Sequence, residues 1–451
     1  MENTRNVNIR NTGQSDLKGL LFLSIAAAFL IFGSPAFADA NSAQIQALQK
    51  KINDMQDQLN QVTTAVASQS STDTGLPMHG FMDVGFQSNS QGNNVMANPD
   101  LPSPNVKGFY EGRLSFYLTP HFGDNVVALA EPVFEVAPAT GEETMDIERL
   151  QIGYTFSDNA TLWGGRFHTP FGYWNTAFHH GAQLQTSVLR PRFLDFEDSD
   201  GIMPVHMVGL LGTGKFKTGV DDDKFTYDWY VGNGPRITSA NINGAPPPVI
   251  TSSDQYQTGS LDPNIYGDDN HSAMVGLNLG YDFSGEYLDG LRLAMHWLQG
   301  NIDAYSTTGT TLTNLLNTTG LNVGGGSIVY LSNDWEIMGE YYGFNDKDKT
   351  PTDANYNSSF KSRAGYIQVG TNFDQFTPYV RLERAIFDQQ DNYFSMQAAG
   401  QSYARQALGL RYNLNPKTCL KFELLNSNFM AETGRTALAY RSLYIQYAIG
   451  F

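Results

Sequence analysis

Residues 438–451 read LAYRSLYIQYAIGF, a stretch in which apolar side chains recur at every second position from Leu443 up to the last residue. Such alternation is typical of a β-strand, because successive side chains point to opposite faces. The apolar set consists of Leu443, Ile445, Tyr447, Ile449 and Phe451. A soluble protein has no reason to end its chain on an exposed aromatic residue, so we expect this face of the strand to meet lipid.

The same period of two residues recurs from residue 79 onward. In residues 106–118 one face contains Val106, Gly108, Tyr110, Gly112, Leu114, Phe116 and Leu118, and the other contains Lys107, Glu111, Arg113, Ser115 and Tyr117. Similar segments lie near residues 150–156, 380–383, 405–412 and 420–424. One face suits lipid and the other suits water, which predicts membrane-spanning strands. Glu148 has the parity of the lipid face, so we expect it at a rim or at a subunit contact.

Short and long connections alternate along these strands. The short turns lie near residues 119–125, 157–159, 219–223, 283–288, 332–334, 374–376 and 413–416, and the long polar segments lie near 87–105, 137–143, 168–205, 233–270, 300–321, 345–360, 387–401 and 427–435. Seven turns and eight loops join sixteen strands. The pattern predicts an all-β fold, a 16-stranded antiparallel transmembrane β-barrel with both termini on the side of the short turns. A soluble β-sandwich or propeller is the alternative, since its strands also alternate.

The first forty residues have the three parts of a secretory signal. Arg5, Arg10 and Lys18 precede an apolar stretch over 19–32, and Ala36-Phe37-Ala38 is a small-x-small cleavage site. The apolar stretch is shorter than the roughly 20 residues that span a bilayer as a helix. We therefore predict a signal peptide over residues 1–38 and export of the mature chain.

A heptad pattern follows the predicted cleavage site. Its apolar positions are Ile45, Leu48, Ile52, Met55, Leu59, Val62 and Val66. Steps of three and four residues predict a short coiled-coil helix over residues 39–68 that joins subunits, then a Ser/Thr-rich linker over 69–77 and the barrel domain over 78–451. A lone amphipathic helix on a neighbouring surface is the alternative.

The composition excludes several classes of partner and site. Lys and Arg number 28 against 45 Asp and Glu, for a net charge of −17, which is the opposite of a nucleic-acid-binding surface. The single cysteine, Cys419, excludes a disulfide framework and any zinc site built from cysteines.

Three stretches resemble Gram-negative outer-membrane porins: HGFMDVGF (79–86), GGRFHTPFGYWNTAFHHG (164–181) and the terminal Phe451. The similarity is to the phosphate-selective porin (O and P type) superfamily and to trimeric porins with an N-terminal periplasmic coiled coil. It implies a homotrimer of sixteen-stranded channels in the outer membrane, with both termini in the periplasm. It also implies that Phe451 is the signal read by the assembly machinery.

The segment over 168–205 follows the fifth predicted strand, where porins of this type fold a loop into the lumen. We expect a pore constriction that involves Arg166, His179, His180, Arg190, Arg192, Asp195, Glu197, Asp198 and Asp200. These charges either create a transverse field across the constriction or neutralise one another where the loop meets the wall. Both interpretations stay open at this stage.

The inward positions of the predicted strands carry a balanced set of charges. The expected pore-wall residues are Lys107, Glu111, Arg113, Glu131, Arg149, Arg381, Glu383, Arg405, Arg411, Lys421 and Glu423, with Glu336 and Glu340 beside them. This balance departs from the ladder of Lys and Arg expected of a phosphate-selective porin. We therefore expect weak selectivity with a mild preference for cations, which the acidic loops concentrate at the mouth.

No catalytic motif of the common hydrolase or nucleotide-binding types is present, and we expect neither an enzyme, nor a cofactor, nor a metal. The predicted function is passive diffusion of small hydrophilic solutes or ions. An anion- or phosphate-selective porin and a plugged surface barrel that acts as an adhesin or structural protein are the alternatives. The expected partners are outer-membrane lipid, lipopolysaccharide, small hydrophilic solutes or ions, and other copies of the chain. The acidic outer loops serve solubility, and the alternative is that they hold divalent cations that bridge to lipopolysaccharide.

Overall fold

The computed structural model describes residues 77–89, 107–136, 143–178, 181–197, 201–240, 259–285, 288–308, 311–433 and 435–451. The predicted signal peptide, the predicted coiled coil and all but the last residue of the predicted linker lie outside these residues.

Sixteen strands of nine or more residues follow one another in the described part of the chain. They are β1 (Met78–Asn89), β2 (Lys107–Leu118), β3 (Val126–Val136), β4 (Glu143–Ser157), β5 (Ala160–His168), β6 (His206–Lys217), β7 (Lys224–Asn233), β8 (Met274–Asp282), β9 (Leu291–Thr308), β10 (Thr311–Leu331), β11 (Trp335–Asp348), β12 (Ser359–Thr371), β13 (Phe376–Ile386), β14 (Tyr403–Asn415), β15 (Thr418–Phe429) and β16 (Leu438–Gly450). Three shorter strands (His121–Phe122, Arg236–Ala240 and Ser260–Asp262) and two helices of four residues, α1 (Trp174–Ala177) and α2 (Asn392–Ser395), lie in the connections.

Each long strand pairs antiparallel with the next, and β1 pairs antiparallel with β16. The register of this last pair runs from Phe81 opposite Gly450 to Asn89 opposite Ser442. Beyond it, the Gly80 and Phe451 backbones exchange two N–H···O bonds of 3.0 and 2.9 Å. The sheet therefore closes on itself, and the predicted all-β barrel of sixteen strands is confirmed.

The two faces of the sheet differ as the alternation requires. On β4, Leu150, Ile152 and Phe156 have exposed fractions of 59%, 64% and 64%, whereas Gln151 and Thr155 between them are buried. The exposed set faces outward and the buried polar set faces the interior. None of the described helices has the length and hydrophobicity of a membrane span.

A β-bulge between β1 and β2 places two residues on the face of the sheet opposite to the predicted one. Val84 lies opposite Glu111, but Met82 lies opposite Leu114, so β2 carries an extra residue here. Residues directly opposite each other share a face of the sheet, and Val84 is exposed on the outside. Glu111 and, four residues before it, Lys107 therefore face outward, and their assignment to the pore wall is wrong.

A second bulge corrects the expectation for Glu148. Glu131 of β3 lies opposite Arg149, whereas the next residue, Pro132, lies opposite Ile147. Glu148 is the extra residue, and it is buried beside Arg166 and His206. It lies neither at an exposed rim nor on an open outer face.

The expected polar loop over residues 300–321 is also wrong. β9 and β10 continue through it as a paired hairpin, with Ile302 opposite Thr319 and Thr308 opposite Thr311. The segment is rich in Thr, and β-branched side chains favour a strand even where the sequence is polar. Ala304 of β9 also pairs in parallel with Ile237 of the short strand Arg236–Ala240.

Candidate functional site

The connection between β5 and β6, residues 169–205, crosses the interior of the barrel. Its described residues contact inward side chains of β11, β13 and β15, and β13 lies half of the barrel's circumference away from β5. Trp174, Phe193 and Leu194 of this connection have no exposed surface. We call residues 169–205 the inner loop.

Backbone hydrogen bonds close the neck of the inner loop. His168 and His206 are directly paired where β5 ends and β6 begins. One step further in, the Thr169 N–H donates to the Val205 carbonyl at 2.7 Å, and the Asn175 side chain donates to the Thr169 carbonyl at 2.7 Å. The loop thus leaves and re-enters the wall at one point.

Carboxylates of the wall accept hydrogen bonds from N–H groups of the inner loop. Glu340 accepts from the Trp174 N–H at 2.8 Å, and Glu423 accepts from the Val188 N–H at 3.0 Å. Glu383 accepts from the N–H of Arg192 at 2.9 Å, and Glu336 from the Thr186 hydroxyl at 2.5 Å. These four carboxylates, which lie on β11, β13 and β15, are anchors of the loop.

Cations of the wall bind carbonyl groups of the same loop. Lys421 donates to the carbonyls of Ala182 and Ser187 at 2.6 and 2.9 Å. Arg411 donates to the Gln185 carbonyl at 2.9 Å, and Arg381 to the Leu189 carbonyl at 2.8 Å. Both signs of wall charge therefore hold the loop backbone in place.

The structure places nine of the expected wall residues on the inner side of the sheet. Eight of them are buried: Glu131, Arg149, Arg381, Glu383, Arg405, Arg411, Lys421 and Glu423. Glu131 and Arg149 form an ion pair of 2.5 Å, and Arg405 donates to the Ser427 hydroxyl at 3.2 Å. Arg113 is partly exposed and forms an ion pair of 2.6 Å with Glu135. Most of the expected pore wall is thus covered.

The described charges of the inner loop are also largely covered. Arg190 donates to the Leu194 carbonyl at 2.9 Å and its guanidinium lies 3.9 Å from the centre of the Phe196 ring. Burial lowers the pKa of Arg190 to about 10, so it stays charged at neutral pH. Arg192 donates to the Ala399 carbonyl at 3.0 Å.

The remaining expected constriction residues lie in different environments. Asp195 is half-buried and accepts from the Phe196 N–H at 3.0 Å. Glu197 is buried and accepts from the N–H of His206 at 2.8 Å. Arg166 lies 3.4 Å from Asp146. The others lie outside the described residues: His179, His180, Asp198 and Asp200.

Arg190, Arg192 and Glu197 are held by hydrogen bonds within the inner loop and to its neighbours. None of the three offers a free charge to the lumen, because each is buried and hydrogen-bonded. The accessible charges of the described interior include Arg113, Asp146 and Arg166.

Sequence reasoning missed the aromatic residues that support the loop. The Tyr403 hydroxyl accepts from the Phe193 N–H at 3.1 Å and donates to Glu383 at 3.4 Å. Tyr342 and Tyr366 donate to Glu340 at 2.7 and 3.0 Å, and the Trp174 ring lies 5.8 Å from the Tyr366 ring. Their inward parity was the available signal, since a Tyr facing the interior has a hydroxyl that needs a partner.

Comparison with known proteins adds evidence on the fold. No family model matches the chain, and no curated protein gives a significant match. The outer membrane channel DcaP of Acinetobacter baumannii is similar in structure, with 11% identity and a TM-score of 0.51 over 85% of this chain and 99% of that one. An anion-selective porin from Comamonas acidovorans is 12% identical, with a TM-score of 0.49 over 84% and 99%. OmpT of Vibrio cholerae, in a trimer form, is 10% identical, with a TM-score of 0.48 over 84% and 99%. The likeness to DcaP shows that this chain has the barrel fold of an outer-membrane channel.

Proposed function

We propose that this protein is an outer-membrane porin through which small hydrophilic solutes or ions cross by passive diffusion, without catalysis or cofactor. One observation carries the proposal: a closed barrel with an apolar outer face has a long loop folded across its interior. Sixteen-stranded barrels leave room for an aqueous channel, and a loop that narrows the lumen is a device for selecting solutes by size and charge.

Part of the barrel interior is filled by side chains of the wall. Inward side chains near the middle of β5–β8 are buried, including Trp163, Phe167, Tyr230 and Asn278. We therefore expect a low conductance and exclusion of large solutes.

The accessible interior charges support weak selectivity. Arg113 and Glu135 neutralise each other, with side chains 25% and 14% exposed, whereas the Asp146 side chain is 46% exposed beside Arg166 at 10%. An anion- or phosphate-selective channel would need free cations, but Arg381 and Lys421 are used in holding the inner loop. A mild preference for cations, carried in part by Asp146, fits these contacts better.

Reconstitution of the purified trimer in a planar bilayer tests the proposal. We expect stepwise currents and a small cation preference in asymmetric KCl, which shrinks as salt rises and screens the charges. Asp146→Asn should move the reversal potential toward anion selectivity, while Asp374→Asn, in an exposed turn outside the barrel interior, should leave it unchanged. A silent bilayer at high protein load would contradict the porin function.

The burial of mid-barrel side chains also favours a second candidate, a closed barrel that acts at the surface as an adhesin or structural protein. A closed barrel would conduct no ions even when correctly folded. The same bilayer recording, made on protein whose barrel is shown to be intact by circular dichroism, distinguishes the two functions.

The membrane environment is part of the proposal. We infer that the signal peptide over 1–38 is removed, that the barrel lies in the outer membrane with both termini in the periplasm, and that Phe451 is read during assembly. We also propose that acidic loops contact lipopolysaccharide through divalent cations. Lys361, Arg363 and Arg384 add a second means of contact, because they are exposed on the outer face of β12 and β13 and attract lipid phosphates.

A further inference from the structure

Four ionisable side chains meet at the neck of the inner loop. His168 is the last residue of β5, His206 is the first residue of β6, and Glu148 is the bulged residue of β4. Glu197 comes from the inner loop itself. All four are buried, with exposed fractions of 2–5%.

The distances among these groups are short. The His206 Nε2 atom lies 2.6 Å from Glu148 Oε2, and the His168 and His206 rings lie 4.7 Å apart at 81°. One ligand atom from each of Glu148, His168 and His206 lies within 4.8 Å of the other two. Three such atoms are spaced closely enough to meet on one ion, since metal–ligand bonds of zinc to nitrogen and oxygen are about 2.0–2.2 Å long.

The other ring nitrogen of His206 has the partner that a metal-binding histidine requires. His206 Nδ1 lies 2.8 Å from Glu197 Oε2, and the His206 backbone N–H donates to the other oxygen of the same carboxylate. A carboxylate that accepts from Nδ1–H fixes the tautomer and leaves the Nε2 lone pair free to bind a metal. His206 Nε2 is the ring atom that lies beside Glu148.

We propose that Glu148, His168 and His206 form a binding site for a divalent transition-metal ion, with Glu197 as a positioning residue for His206. Two imidazole nitrogens and one carboxylate oxygen favour Zn²⁺ or a neighbouring first-row ion over Ca²⁺ and Mg²⁺, which prefer oxygen ligands. A fourth ligand position is left for water.

Charge and geometry define the change that binding requires. Glu148 and Glu197 bring two carboxylates to the site, and Arg166 lies 3.7 Å from Glu148. His206 Nε2 and Glu148 Oε2 lie only 2.6 Å apart, so binding of an ion requires these two ligand atoms to separate by several tenths of an ångström. The bound ion would connect both ends of the inner loop to β4.

Metal binding by the untagged, full-length protein in detergent tests the proposal. After treatment with EDTA, the protein is dialysed against Zn²⁺ at low micromolar concentration and its metal content is measured; Co²⁺ replaces Zn²⁺ in parallel for visible spectroscopy. We expect about one ion per chain for the native protein and the loss of this ion, with the cobalt spectrum, in His168→Ala. Glu197→Gln should keep the stoichiometry but weaken affinity by about 10–100-fold.

His296→Ala is the matched control. His296 is also a buried interior histidine, but its Nε2 lies 3.2 Å from the Ser327 hydroxyl, so this variant should bind the metal as the native protein does. Circular dichroism establishes that each variant is folded. Either absence of bound metal in the folded native protein, or undiminished binding by folded His168→Ala, would overturn the proposal.

Discussion

Lys421 shows how far a single charged side chain of the wall is used for structure. It has no exposed surface, and its ammonium group donates to three carbonyls of the inner loop, those of Ala182, Gln185 and Ser187. An ammonium has three donors and no acceptor, so its hydrogen-bonding capacity is complete. The position was predictable from alternation, but the partner was not, because a one-dimensional pattern does not show which loop covers the strand.

We therefore predict that Lys421→Met destabilises the inner loop. The carbonyls of Ala182 and Ser187 lose this buried donor, whereas the Gln185 carbonyl keeps its hydrogen bond from Arg411, and we expect a cost of about 1–3 kcal/mol. Conductance traces should become noisier as the loop moves, and the melting temperature in detergent should fall. Lys417→Met, in the exposed turn before β15, is the control. Native-like traces and melting in Lys421→Met would show that the loop is held by its other anchors alone.

At the scale of elements, the sequence predicted strands and most connections but neither bulge. In a regular strand every second side chain lies on the same face of the sheet. One extra residue beside Glu111 or Glu148 moves the side chains beyond it to the opposite face, and the composition does not reveal this change. Pro132 gives a hint in hindsight, since proline lacks the N–H that a regular ladder needs. The site at the neck of the inner loop escaped prediction for this reason, because Glu148 reaches it only through the bulge.

Two turns at the same end of the barrel are joined by one carboxylate. Asp223, in the turn between β6 and β7, accepts from the N–H and the hydroxyl of Ser284 at 2.7 and 2.8 Å and from the Tyr281 hydroxyl at 2.9 Å. These hydrogen bonds, with that from the Ser284 N–H first, hold the pKa of Asp223 below its usual value. The contact therefore connects the β6–β7 turn to the end of β8.

The lowered pKa gives a pH dependence of defined sign. The charged form is favoured by folding, so its contribution to stability is present above the unfolded pKa of about 3.9 and is lost as the pH falls through the lower folded value. We predict that Asp223→Asn lowers the free energy of unfolding at pH 7 and that its difference from the native protein disappears in strong acid. Denaturant titrations from pH 7 to pH 2 measure this.

Asp221→Asn is the control for that titration. Asp221 is exposed in the same turn and has a φ of 45°, which Asn also adopts readily. Its stability should follow the native curve at every pH. An Asp223→Asn effect that persists unchanged at pH 2 would assign the loss to altered packing rather than to charge.

At the scale of the whole molecule, the closed barrel was predictable because three features indicate it: the number of strands, the alternation of short and long connections, and the two-residue period of apolar side chains. The interior was less predictable, because the same inward charge serves a wet lumen or a buried loop contact. The sequence around Glu383 and Glu423 fits a water-filled lumen and a buried loop contact equally well. Only the path of the inner loop shows that both carboxylates bind the loop.

Assembly remains a prediction from sequence. We expect a homotrimer whose barrel walls supply most of the contact, with the coiled coil adding a few layers of apolar side chains. Deletion of residues 41–67 should lower the temperature at which trimers dissociate in detergent, as followed by size-exclusion chromatography after heating. Substitution of polar linker residues by Gly, with the coil intact, is the control for changes that affect the linker alone. Monomers at room temperature after deletion of 41–67 would identify the coil as the main contact.

The pairing of β1 with β16 also means that the barrel cannot close before its last strand is present. A sheet that lacks β16 has two open edges with unpaired N–H and C=O groups, which are templates for aggregation. Gly80 lies against the Phe451 ring so closely that any larger residue would collide with it, and this contact spans nearly the whole barrel domain in sequence. Barrel closure thus requires the last strand, and we expect a chain that is truncated by a single strand to aggregate.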